Sequence, residues 1–180
     1  MSGRTRAGLA GALCGLALIP AATAAAHQAP PERFFAERLL ADRGTSATIK
    51  GLLREDGAFV DPSVAFRDVT GDKRADAVVR VLSGGAAGAI GFYVLSTDGR
   101  PRGSPLRVVY RNQRLLRAYT RVRRGVLSYR VPSFGPSDEL CCPTAETETV
   151  LRWQRSRGRF RIASRRRVQA TVPSAAPTRR

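Results

Sequence analysis

Histidine is almost missing from this chain: His27 is the only one in 180 residues. It sits in a loose lead-in, His27 to Pro31. Nucleophilic catalysis by a Ser–His–Asp or Cys–His arrangement needs an imidazole held in place as base, so that class of enzyme loses its support. Lysine is nearly as scarce, with Lys50 and Lys73 alone. There is no Gly-Lys-Ser/Thr phosphate loop and no dinucleotide fingerprint. Acidic residues are few, 14 against 31 Lys and Arg, for a net charge of +17. With three cysteines the chain is no disulfide-stapled mini-protein, and a hydrophobic core must hold the fold. No segment after the N-terminus approaches 18 apolar residues, so no transmembrane helix is expected.

What is present begins with a secretory signal pattern. Arg4 and Arg6 precede an apolar, small-residue stretch from Ala7 to Ala22, and Ala24-Ala25-Ala26 offers a cleavage site. The organisation expected is a signal peptide over 1–26, a single α+β domain over 27–163 and a basic, disordered tail over 164–180. Cleavage would leave 154 residues carrying +15, a size suited to one domain. The location expected is secreted or cell-envelope-associated. Cys14 lies inside the signal pattern, and Leu13 before it does not make a lipidation box.

Along the domain, Pro31 to Asp42 reads as a helix with Phe35, Ala36, Leu39 and Leu40 on one stripe. The pattern then turns to strands. Ala47 to Leu53 and Ala58 to Val60 flank the turn pair Asp56-Gly57. Ala77–Leu82 and Phe92–Leu95 are β-rich. Five further runs alternate with period two, around Val108, Thr120, Tyr129, Thr149 and Phe160. The fold class expected is α+β, one N-terminal helix on a mostly antiparallel sheet with an arginine-rich polar face. From Ser164 the periodicity fades, and Arg152 to Arg180 holds ten arginines and no acid.

Three groups of residues carry candidate chemistry. Asp68, Thr70, Asp72 and Asp76 place oxygens at relative positions 1, 3, 5 and 9, a spacing able to aim ligands at calcium. The same aspartates equally suit a tight turn capped through their own backbone. The segment resembles the calcium loop of FG-GAP/VCBS-type repeats, with Thr70 where that pattern has a stronger ligand and Lys73 where it has glycine. One copy cannot build a repeat propeller.

The second group is Cys141-Cys142-Pro143. Neighbouring Cα atoms lie about 3.8 Å apart across a trans peptide, short of the usual disulfide span of about 4.4–6.8 Å. A vicinal disulfide, two buried thiols, a bond to another chain and a soft-metal thiolate pair all remain open. Asp138 and Glu139 beside them are a carboxylate pair or a solvated loop. The third group is an anion-binding surface formed by Arg107, Arg121, Arg123, Arg159 and Arg161. It suits anionic envelope polymers or lipid headgroups, with no specific nucleic-acid partner.

Together, Asp68-Val-Thr-Gly-Asp72 running into Ala75–Val79, Cys141-Cys142-Pro143-Thr144, Leu151-Arg-Trp153 and Gly158-Arg-Phe160 resemble the LppP/LprE family of actinobacterial envelope lipoproteins. The likeness spans about residues 60–162. The resemblance implies an envelope location and a domain type, and no settled activity. The function expected is therefore a non-enzymatic envelope protein that binds anionic material. The alternatives are a calcium-stabilised binding module on the Asp68–Asp76 loop and a thiol redox or hydrolytic enzyme.

Overall fold

Phe35 and Leu39 stand one helical turn apart, and both are buried on the inner side of α1, Pro31–Ala41. The computed structural model describes residues 31–170. The expected signal segment, Cys14, His27 and the chain after Ala170 lie outside the described residues. A second helix follows at α2, Ala47–Arg54. This corrects the reading of Ala47 to Leu53 as a strand. Ser46 caps the helix, its hydroxyl accepting from the Ile49 N–H at 3.3 Å. Ile49, Leu52 and Leu53 then share a face at spacings of three and four, all in the same core. The Asp56-Gly57 pair accordingly leads out of a helix into a strand and does not close a hairpin.

Among the described residues, nine strands follow in two antiparallel sheets. The first contains β1 (Ala58–Val60), β2 (Ala65–Arg67), β3 (Asp76–Ser83), β4 (Ala89–Ser96) and β5 (Arg107–Asn112). Its order is β1-β3-β4-β5, with β2 beside β1 on the same edge of β3. The second is a meander of β6 (Tyr119–Arg123), β7 (Val126–Ser133), β8 (Ala145–Gln154) and β9 (Arg159–Gln169). The α+β class holds, with two helices and two sheets where one of each was expected. The strand β9 also corrects the expectation of a disordered tail from Ser164. Ser164 to Gln169 pair with Val150 to Ala145 of β8.

The side-chain alternation of β3 and β4 explains the layering. Ala77, Val79, Val81, Tyr93 and Leu95 face the helices and join Phe35, Leu39 and Ile49 in one core. Val78, Phe92 and Val94 point the other way and meet Leu127, Tyr129, Leu151 and Phe160 of the second sheet. The first sheet is thus buried on both faces, which is why β3 and β4 read as continuous apolar runs. A chain of rings crosses the inter-sheet core. Tyr129 lies 5.2 Å from Phe92, Phe92 5.5 Å from Tyr110, Tyr110 5.5 Å from Phe160, and Phe160 5.0 Å from Trp153. Such ring pairs contribute about 0.5–1.5 kcal/mol each beyond their burial. The second sheet's other face is turned to solvent.

Candidate functional site

The aspartate loop joins β2 to β3. Its first carboxylate, Asp68, accepts from the Gly71 N–H at 2.6 Å and the Lys73 N–H at 2.9 Å. Asp72 accepts from the Arg74 N–H at 2.9 Å, and its second oxygen reaches the Gly99 N–H at 2.9 Å in the β4–β5 turn. Asp76 is 1% exposed. Its Oδ2 accepts from the N–H groups of Val69 at 2.8 Å and Thr70 at 2.9 Å, and the Thr70 hydroxyl lies 3.4 Å from Oδ1. Burial raises the Asp76 carboxyl above its ordinary range, opposed by hydrogen bonds from Ser96, Val69 and Thr70. All three carboxylates are therefore engaged by backbone donors that close the loop. Among the described residues, no three His, Cys, Asp or Glu side chains stand together as a metal group. Lys73 has φ of +65°. That left-handed conformation gives a physical reason for glycine at this position of the resembled pattern.

A cleft of about 580 Å³ opens between this loop, the β4–β5 turn and the β8–β9 connection. Thr70, Asp72, Lys73, Asp98, Trp153 and Arg155 line it. Arg155 donates to the Gly71 carbonyl at 2.5 Å, and Asp98 is ion-paired with Arg107. Two stretches far apart in the chain, around Asp72 and around Trp153, are brought together here. Neither Asp98 nor Arg155 carries a signal in the sequence. Each lies in a connection, where no periodicity marks which residue faces a neighbour.

The arginines divide between two places. Arg107 lies on β5 of the first sheet, paired with Asp98 and apart from the others. Arg121 and Arg123 of β6 and Arg159 and Arg161 of β9 are on the second sheet. Register places them on its outer face. The inner face is marked by Leu127, Tyr129, Leu151 and Phe160. Arg121 pairs with Ser128, one residue out of phase with Leu127, and Arg161 pairs with Arg152, out of phase with Leu151. Arg152 joins the same face. All five are exposed. Further along, Arg130, Glu148 and Arg166 form a row across β7, β8 and β9. Arg166 meets Glu148 at 2.6 Å and Arg130 meets it at 3.2 Å. Arg130 also reaches Glu146 at 3.4 Å. The hydrogen bonds from Arg166, with Arg130 adding, hold the Glu148 carboxyl below its ordinary range. Among the described residues, no acidic side chain pairs with Arg121, Arg123, Arg152, Arg159 or Arg161.

The cysteines lie at the opposite end of the second sheet, in the β7–β8 connection. Cys141 and Cys142 stand at disulfide-bonding distance, and both are exposed. Asp138 organises the connection. Its Oδ2 accepts from the N–H of Gly135 at 2.8 Å, the N–H of Thr144 at 2.9 Å and the Thr144 hydroxyl at 3.0 Å. Those bonds lower its carboxyl. Asp138 is therefore a loop clamp, separated in role from Glu139. Arg117 ties the same connection to the β3–β4 loop, donating to the carbonyls of Leu140 and Ala86. No protein-family model, curated protein or solved structure matches this chain.

Proposed function

We propose that this protein is a secreted or cell-envelope-associated binding protein without enzymatic activity, held to anionic envelope polymers or lipid headgroups by the outer face of its second sheet. The observation that carries the reading is the set of five exposed arginines, Arg121, Arg123, Arg152, Arg159 and Arg161, without acidic partners on one sheet face. A sheet face is flat and extended, so it can meet a chain or surface bearing repeated charge rather than a single small anion. Arginine suits this task, because its planar guanidinium stays charged and presents five donors in a fork that matches carboxylate and phosphate. The signal-like pattern of the first 26 residues and the resemblance to an envelope lipoprotein family support the location. A sequence with His27 as its single histidine supports a binding role over catalysis.

The experiment is a salt titration of binding to polygalacturonate and to vesicles containing anionic lipid. Contacts of this kind release counterions from a polyanion, so the logarithm of affinity falls linearly with the logarithm of salt concentration. The affinity is expected to drop steeply between about 0.05 and 0.5 M salt, where the screening length shrinks toward a few ångströms. Binding that survives high salt unchanged contradicts the electrostatic reading.

A further inference from the structure

The cleft at the Asp68–Asp76 end of the molecule has a composition different from the arginine face. It carries both signs of charge and one aromatic ring. Lys73 and Arg155 supply cationic donors, Asp72 and Asp98 supply carboxylate acceptors, and Trp153 offers an indole flank. The ring is placed by Phe160, 5.0 Å away, at the end of the aromatic run through the core. A guanidinium has five N–H donors, and the bond from Arg155 to Gly71 leaves others for a ligand. Each carboxylate likewise keeps lone pairs beyond those used by Arg74, Gly99 and Arg107.

We propose that this cleft binds one carboxylate-bearing sugar unit of an acidic polysaccharide. The inference rests on the arginine-face reading for the class of polymer, and it adds the site that reads a single unit. Each part of such a sugar has a counterpart. Its hydroxyls donate to Asp72 and Asp98, its acid group meets Lys73 and Arg155, and its apolar C–H face covers the Trp153 ring. A phosphate group fits poorly, because the two aspartates repel a doubly charged anion more strongly than a singly charged carboxylate. The volume of about 580 Å³ lies within the range of small-ligand clefts, about 300–1,000 Å³. Arg159 follows Gly158 at the cleft rim and starts the exposed arginines of β9. A polymer lying on the outer face can therefore pass a unit into the cleft.

Trp153 is the only tryptophan in the chain, so intrinsic emission reports on this site. The full-length chain is titrated with trigalacturonate, maltotriose and glycerol phosphate, and binding to polygalacturonate is followed in parallel. Trigalacturonate is expected to change the emission saturably, and maltotriose to bind more weakly by about tenfold or more, the size of one charge-assisted contact. The variant Lys73→Gly suits the left-handed backbone at that position and is expected to weaken trigalacturonate by a similar factor. The variant Arg155→Gln, checked by its melting temperature, is expected to do the same. Polymer binding that remains salt-dependent while trigalacturonate leaves Trp153 emission unchanged overturns the cleft and leaves the arginine face standing. Equal responses to glycerol phosphate and trigalacturonate overturn the sugar assignment. Trigalacturonate binding at Trp153 with salt-insensitive polymer binding supports the cleft and sinks the arginine face.

Discussion

Asp76 is buried, and among the described residues it alone accepts from the backbone N–H groups of Val69 and Thr70. Removing one partner of a buried hydrogen bond leaves the other desolvated, at about 1–3 kcal/mol for each orphaned group. Asp76→Ala is therefore expected to cost about 2–4 kcal/mol in chemical denaturation. Asp76→Asn, which keeps an acceptor oxygen, should cost less. An equal cost for both would show that charge, and not the hydrogen bonds, is what the loop requires. The same geometry bears on calcium. The aspartates already receive backbone donors, so millimolar calcium is expected to leave the melting temperature unchanged. A rise would mean that the loop reorganises around the ion, since a ligand of the native state stabilises by mass action. Lys73 offers a subtler check. A side chain in the left-handed region costs about 1 kcal/mol, and glycine carries an entropic cost of similar size. Lys73→Gly should therefore be close to neutral in thermal denaturation, whereas the β-branched Lys73→Val should lower the melting temperature.

Among the elements, β8 carries the clearest pH dependence. Glu148 accepts from Arg166 and Arg130, and its carboxyl lies below the ordinary value of 4.5. A depressed folded value contributes stability that is present above the unfolded value and lost as pH falls through the folded one. Glu148→Gln should therefore be less stable at neutral pH by about 1–2 kcal/mol. The gap to the native protein should close in acid. A gap that persists at low pH would assign the cost to packing. The β7–β8 connection makes a separate prediction. The folded, unreduced monomer should take up no alkylating reagent at Cys141 or Cys142, and after reduction both exposed sulfurs should react, as read by intact mass. Label taken up without reduction would rule out the bond between them. Much of the element pattern was legible in the sequence. The alternation of Leu127, Tyr129 and Val131, or of Phe160 with its arginine neighbours, states a half-buried strand outright. Ala47 to Leu53 was misread because a β-branched pair, Thr48-Ile49, and a short apolar run look alike in strand and helix; Ser46 as cap was the deciding signal. Ser164 to Gln169 was misread because this strand is exposed on both faces and its identity comes from its pairing with β8. The aspartate loop was visible as a motif. The cleft was not, since Asp98 and Arg155 sit in turns whose partners are set by the packing of two sheets.

For the whole molecule, the layering gives each surface its character. Helices cover one face of the first sheet and the second sheet covers the other. The second sheet is left with one wet face, and five exposed arginines without acidic partners among the described residues collect there. High net charge alone favours non-specific contact with any polyanion, so the position of the charge decides whether one face is the binding surface. The direct measurement compares two variants of equal net charge for binding to polygalacturonate at fixed salt. One reverses Arg121, Arg159 and Arg161 to glutamate on the outer face. The other reverses Arg43, Lys50 and Arg54 on the helical side. A large loss in the first variant and a small one in the second is the expected result. Equal losses in both would mean that net charge alone drives binding, and would contradict the arginine face as the binding surface.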